Sequence, residues 1–190
     1  MLPVVRASGQ FAVRRTGAST VHLVATAFGP LGGDDATIRL AVEEGARLCV
    51  RSVAAAVALP SRSVAELAAE LGPAAGLTSA EQVLLGRRGE KPGRWTGTTR
   101  VVREGRPLLH TTVDLGPGAP AWLPPVTPRA YASTVHLDAG AHPSQQPVAT
   151  GEDAVRLSLP GGWTATAWGT ELHRVAGALA RLTAPERETA

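Results

Sequence analysis

Alternation of polar and apolar residues predicts a β-hairpin early in the chain. Residues 37–42 alternate with a period of two, which is typical of a strand with one buried face. Residues 47–51 continue in the same pattern, and Gly45 between the two segments can adopt the positive φ that a tight reversal needs. The order strand, glycine turn, strand therefore predicts two antiparallel neighbours.

The following stretch carries two other patterns. Residues 53–59 are small and apolar without alternation, which fits a buried strand and a buried helical turn equally well, and Pro60 ends the run. Residues 63–71 are rich in helix formers, and Ser63 and Glu66 have the spacing of a capping box. We therefore predict a short helix over residues 63–71.

Alternation returns in the second half of the chain. Gly105 and the pair Gly161-Gly162 each separate two alternating segments, as the turns of hairpins do. The sequence predicts strands at 96–103, 107–115, 131–137, 155–159 and 163–168. The segments 116–128 and 140–151 are rich in glycine, proline or polar residues and predict loops. No βαβ alternation is present.

The last periodic segment predicts a helix over residues 171–182. Its apolar residues recur at spacings of three, four and three and are Leu172, Val175, Leu179 and Leu182. Thr170 is a suitable cap, and residues 184–190 predict a disordered tail. The apolar face of this helix can dock into a groove of a partner or pack on its own sheet.

Composition and charge narrow the class of protein. Hydrophobic residues make up 44% and charged residues 18%, which predicts a folded chain, and the net charge is +3. Nucleic-acid binding is not expected, because the basic residues cluster only in pairs and aromatic residues are few. Cys49 is the single cysteine, which excludes an internal disulfide. Without a signal peptide pattern or a long apolar segment, we expect a cytoplasmic protein with no membrane contact.

Several short motifs occur in an order that resembles the urease accessory protein UreD (also called UreH) family. A Gly-Gly-Asp turn precedes an alternating strand, then a Gly-Ala-Arg turn, then a strand that ends in small residues. In this sequence these blocks are Gly32-Gly33-Asp34, 38–42, Gly45-Ala46-Arg47 and 52–56. A later Glu-x-x-x-x-Gly-Arg block corresponds to Glu81, Gly86 and Arg87. The family usually has further strands where residues 61–77 stand here, so the chain resembles a shortened member.

The resemblance implies a function without catalysis. A UreD-like protein is a chaperone that assists nickel incorporation into apo-urease in a complex with UreF and the GTPase UreG. It implies no tightly bound cofactor, with nickel handled only in transit. The alternative is a decayed or repurposed β-scaffold binding protein without a urease role, which the missing strands favour.

Together these patterns predict a single UreD-like domain over residues 1–190. The predicted fold is mostly β, with two packed mixed sheets of short strands in a β-solenoid-like arrangement. A C-terminal α-helix and the short helix near 63–71 complete it.

The candidate site residues divide into metal ligands and partner contacts. Imidazole suits nickel, and His136 and His142 form the best candidate pair of ligands, with a solvated loop as the default alternative. The predicted partner-binding residues are Gly32, Gly33, Asp34, Glu81, Gly86, Arg87, Leu172, Val175 and Leu179. Ordinary turn chemistry and a surface ion pair are the alternatives for the first six. We predict no catalytic residue, because Cys49 has no identifiable base and no hydrolase motif is present.

Overall fold

The computed structural model describes residues 11–25, 35–53, 55–120, 128–138, 149–151 and 153–184. These residues form thirteen strands and one helix. The first strands are β1 (Phe11–Arg15), β2 (Thr20–Ala25), β3 (Asp35–Val42), β4 (Arg47–Ser52), β5 (Ala56–Ala58) and β6 (Arg62–Leu71). The central strands are β7 (Gly76–Leu85), β8 (Arg94–Arg103), β9 (Arg106–Leu115) and β10 (Ala130–Leu137). The last elements are β11 (Ala149–Gly151), β12 (Ala154–Leu159), β13 (Gly162–Gly169) and α1 (Leu172–Thr183).

The strands form two sheets that pack face to face. The nine-stranded large sheet has the order β1-β2-β4-β7-β10-β13-β12-β11, with β5 also beside β7. The four-stranded small sheet has the order β3-β6-β8-β9. Both sheets contain parallel and antiparallel pairs, and α1 packs on the outer face of the large sheet. The predicted fold of two mixed sheets with a C-terminal helix is confirmed.

The chain winds between the two sheets as a solenoid does. It alternates from β2 to β3, β4, β6, β7 and β8, so that successive coils add parallel strands to each sheet. Consecutive corners also stack on one another. The Gly72 amide donates to the Val42 carbonyl at 2.8 Å, and the Gly45 amide donates to the Pro73 carbonyl at 2.9 Å. The β-solenoid-like arrangement is therefore confirmed for this part of the chain.

The predicted hairpin of residues 37–42 and 47–51 is wrong. Both strands exist, but β3 pairs with β6 in the small sheet, whereas β4 pairs with β2 and β7 in the large sheet. Gly45 does have a positive φ of 65°. The glycine therefore turns a corner between the sheets, and its presence alone could not distinguish such a corner from a hairpin.

The predicted helix at 63–71 is also wrong, because this segment is strand β6. Glu66 and Glu70 are exposed, while Ser63, Ala69 and Leu71 are buried, so the pattern has a period of two. A spacing of four places two glutamates on one face in a helix and in a strand alike. Pairing with β3 and β8 on both sides then overrides the local preference for helix.

Strands β1, β2 and β7 lie in segments for which no element was predicted, and β11 lies at the end of the predicted loop 140–151, because pairing with β12 extends the chain there. The strands near 96–103, 107–115, 131–137, 155–159 and 163–168 are confirmed, and the ambiguous segment 53–59 contains β5. Helix α1 is confirmed within one residue at each end, but its N-cap is Glu171 and not Thr170. The Glu171 carboxylate accepts a hydrogen bond from Arg174 Nε at 2.7 Å and makes no cap bond. The tail residues 185–190 lie outside the described residues.

Three apolar clusters hold the layers together. Two of them fill the space between the sheets. The first contains Val42, Ala69, Leu71, Ala75, Leu77, Val101, Val135 and Leu137. The second contains Ala58, Val83, Leu85, Trp95, Leu115 and Tyr131. The third cluster joins α1 to the outer face of the large sheet through alanines of β10, β12 and β13.

Within the described ranges, no helix has the length and apolar character of a membrane span.

Candidate functional site

A polar group of three residues lies between the two inter-sheet clusters. Glu81 of β7 stands opposite Ser133 of β10, and the Ser133 hydroxyl donates to Glu81 Oε1 at 3.0 Å. Ser79 is one step away on the same face of β7 and is 9% exposed. Leu77 on one side and Val83 on the other belong to the two apolar clusters. We call Ser79, Glu81 and Ser133 the inter-sheet polar group.

Burial dominates the electrostatics of this group. It raises the pKa of Glu81, and the hydrogen bond from Ser133 opposes the shift only in part. Some surface of Glu81 remains accessible, but its carboxyl group is surrounded by protein. The pKa of Tyr131 is raised as well, first by burial and then by the negative charge of Glu81. The Glu81 carboxyl group therefore lies between the sheets, while part of the residue remains accessible, and its predicted role in partner contact stays a prediction.

The Glu81→Gln variant is expected to gain stability over the native chain as the pH rises. A raised pKa in the folded state means that the contribution of Glu81 to stability is fully present below its unfolded pKa of about 4.3. That contribution is lost as the pH rises through the folded pKa, because an ionised carboxylate is costly between the sheets. Glutamine does not titrate and avoids this loss.

Urea unfolding of both proteins at pH 5 and pH 8 measures the effect. The difference in unfolding free energy between the variant and the native chain should be larger at pH 8. The exposed Glu66 supplies the matched control, since Glu66→Gln makes the same change at the surface, where it should have little effect on the free energy of unfolding. Equal differences for Glu81→Gln at the two pH values would contradict a raised pKa.

The turn after β7 is organised by Arg129. Its guanidinium donates to the carbonyls of Leu85 at 3.1 Å, Arg87 at 3.1 Å and Glu90 at 2.9 Å. Gly86 has a φ of 75°, and a Cβ there would lie 2.8 Å from the Lys91 carbonyl. Glycine is therefore required at this position, because a side chain would be strained and would collide with backbone.

The tip of this turn presents its cations to solvent. The Arg87 amide donates to Glu90 Oε2 at 2.9 Å, and the two side chains form an ion pair at 3.7 Å. Arg87 and Arg88 are exposed, whereas Gly86 is buried. Of the predicted residues Glu81, Gly86 and Arg87, Arg87 is exposed, Glu81 is partly accessible and Gly86 is buried. The sequence did not identify Arg129, because its partners lie 39 to 44 residues away.

His136 lies on the opposite, outer face of the large sheet. Its Nδ1 atom is 2.9 Å from the Thr78 hydroxyl, and its ring stacks on Trp163 at a centroid distance of 5.3 Å. His142, its predicted metal partner, lies outside the described residues. Among the residues that the structure describes, no three of the types His, Cys, Asp and Glu are grouped to hold a metal ion.

The apolar face of α1 packs on the large sheet of the same chain. Val175 is 2% exposed and Leu179 is 7% exposed, and Leu172 is partly buried in the same cluster. Docking into a groove of a partner and packing on its own sheet were the two alternatives for this face, and the structure shows packing on its own sheet. The other predicted partner residues, Gly32, Gly33 and Asp34, lie outside the described residues. Cys49 is a free, partly buried thiol on β4.

Comparison with known proteins gives the family. No family model matches the chain. The urease accessory protein UreD of Parafrankia sp. (strain EAN1pec) is 33% identical over an alignment of 217 positions, gaps included, that covers 83% of this chain and 73% of the relative. The chain belongs to the UreD family. The UreD proteins of Streptomyces avermitilis and Streptomyces coelicolor are 36% and 34% identical, and each match covers 63% of this chain.

The match to these relatives is interrupted. The chain spans 62% of the length of both Streptomyces UreD proteins. The 156 aligned positions of the first contain about 120 residues of this chain, since the match covers 63% of its 190 residues. The alignment therefore bridges gaps where the UreD relative has residues that this chain lacks. This agrees with the prediction of a shortened family member.

Proposed function

We propose that this chain is a urease accessory protein that assists nickel incorporation into apo-urease. It acts in a complex with homologues of UreF and UreG and has no catalytic activity of its own. The observation that carries the proposal is its membership of a family whose curated members are named urease accessory proteins. The fold suits such a role, because two packed sheets form a scaffold whose surfaces are available to partners.

Within this role, the inter-sheet polar group is a candidate point of contact for nickel as cargo. Glu81 offers a carboxylate, and Ser79 and Ser133 offer hydroxyl oxygens, in a space that is otherwise apolar. One carboxylate without imidazole or thiolate ligands binds nickel weakly, which suits transfer better than storage. His136 is a second candidate, because its Nδ1 contact with Thr78 leaves Nε2 free to bind a metal.

Complementation tests the proposed function. The chain is expressed together with the urease genes of its own genome in cells that lack their own UreD, and urease activity is measured with added nickel. We expect activity above that of cells without the chain. Glu81→Gln should lower this activation roughly tenfold, the scale on which groups near a bound metal act. Glu66→Gln, on the exposed face of the small sheet, is the control.

Complex formation provides the second part of the test. We expect the chain to elute with the purified UreF homologue in size-exclusion chromatography at micromolar concentrations. A folded chain that neither activates urease nor binds UreF would overturn the proposal. That result would favour the alternative of a repurposed scaffold without a urease role.

A further inference from the structure

A groove of about 620 Å³ lies on the outer face of the large sheet beside α1. Its floor includes His22, Arg51 and Thr78, which come from β2, β4 and β7, and its walls include Trp163 and Ala180. The volume lies within the range of roughly 300–1,000 Å³ that is typical of ligand sites. We call this feature the α1 groove.

The dimensions of the groove match a second helix beside α1. Helix α1 packs on β10, β12 and β13. Packed helices lie about 8–10 Å apart, and strands about 4.8 Å apart, so a neighbouring helix lies two strands farther along the sheet. That position is above β4 and β7, which supply the floor of the groove.

The surfaces that line the groove suit close packing. Ala176, Ala180 and Thr183 recur at spacings of four and three, so they lie on one face of α1, and all three line the groove. These small side chains let another backbone approach closely. Val53 is 59% exposed and lines the groove together with Trp163, so an apolar stripe would have two larger side chains to contact.

The charge beside the groove is positive. Arg14, His22 and Arg51 stand next to one another across β1, β2 and β4. No carboxylate is present on the same face of these three strands or of β7. Glu81 also lines the groove, but its carboxyl group accepts a hydrogen bond from Ser133 on the other face of β7. In the described part of the chain, no acidic residue forms an ion pair with Arg14 or Arg51. An occupant with negative charge on one flank would therefore be favoured.

We propose that the α1 groove binds an acidic amphipathic helix of a partner protein. The apolar stripe of that helix packs on Val53, Trp163 and the small residues of α1, and its acidic flank faces Arg51 and Arg14. Helix-in-groove binding of this kind is a common mode of recognition. The inference rests on the proposed function, because the partner is then a component of the urease maturation complex.

Fluorescence anisotropy with the full chain tests the chemistry of the groove. The probe is a synthetic amphipathic helix of about 18 residues, or five turns, with a leucine stripe and flanking glutamates. Arg51→Glu should weaken its binding about tenfold by reversing a charge at the contact. Ala180→Trp, which fills the groove, should weaken it as well. Arg100→Glu, an exposed site on the small sheet, should leave it unchanged.

Several results would overturn the proposal. One is equally tight binding of the same peptide with lysines in place of the glutamates, and another is an equal effect of Arg51→Glu and Arg100→Glu. Tighter binding of an oligonucleotide that depends on Arg51 would point to nucleic acid instead. Loss of thermal stability in both Arg51→Glu and Ala180→Trp, but not in Arg100→Glu, would mean that this chain fills its own groove.

Photo-crosslinking locates the natural occupant. A photoreactive phenylalanine analogue replaces Thr78 in the groove or, as the control, Thr98 on the small sheet, and each protein is mixed with purified UreF and UreG homologues. The proposal expects a cross-link from position 78 to an acidic helical segment. No cross-link, or one to a basic segment, would overturn it. Urease activation by the native chain separates this outcome from a failure of the proposed function.

Discussion

Gly93→Ala is expected to destabilise the fold by at least about 3 kcal/mol, at the upper end of overpacking effects. A Cβ at Gly93 would overlap the carbonyl oxygen of Leu59 and lie 2.7 Å from that of Ala58. Both obstacles are backbone atoms that continue from β5 towards β6. They cannot rotate away as a side chain can, so relief requires a movement of the strands themselves.

Chemical denaturation compares this variant with Gly177→Ala. A Cβ at Gly177 in α1 meets only the Arg181 guanidinium, at 3.7 Å. Alanine there should stabilise the helix by about 0.5–1 kcal/mol, because glycine is unfavourable inside a helix. A Gly93→Ala variant as stable as the native chain would show that the two segments do not approach so closely.

Trp95→Ala is expected to lower the free energy of unfolding by about 3–5 kcal/mol, the range for large buried aromatic residues. Trp95 is 2% exposed, and its ring lies 5.5 Å from that of Tyr131 between centroids. The indole also covers Gly97, where a Cβ would overlap its ring. Alanine would leave a cavity in the second inter-sheet cluster.

A double-mutant cycle makes this prediction specific. Gly97→Ala alone should be strongly destabilising, because the new methyl group collides with the indole. In the Trp95→Ala background the same change should cost much less, so the two effects should not add. Leu157→Ala, at a residue that is 44% exposed, is the control and should have little effect. Additive effects at 95 and 97 would contradict the observed packing.

The sequence predicted those elements whose determinants are local. Gly105 and Gly161 both have positive φ and close hairpins between adjacent strands, so alternation plus a turn residue sufficed. The strand β6 pairs with β3 at an offset of about 29 residues, as Asp35 stands opposite Val64. No local pattern reports such a pairing, and the intrinsic helix preference of the segment therefore misled the prediction.

The candidate site was predictable only in part for the same reason. The family resemblance identified Glu81 and Gly86, but not that Glu81 points between the sheets. Its hydrogen-bond partner Ser133 is 52 residues away, and only the pairing of β7 with β10 brings the two together. Arg129 likewise follows a segment without periodicity, so nothing near it in the sequence indicated its role.

The ionised carboxylate of Glu81 lowers the stability of the fold, and the same group is the one that the proposed role requires. The raised pKa means that the folded chain is more stable with a neutral side chain at that position. The same carboxylate is the oxygen ligand that we propose for nickel in transit. Glu81→Gln should therefore improve stability at high pH and impair urease activation, a trade-off that is common at functional sites.

The coiled path of the chain also indicates how such a protein can change in length. Between β2 and β8, successive coils bond to one another through parallel strands and stacked corners. In such quasi-one-dimensional architectures stability is approximately a sum of units and nearest-neighbour interfaces. Whole coils then behave as modules, because each coil contacts only its neighbours. Evolution can thus shorten this scaffold stepwise while keeping both ends of the stack intact.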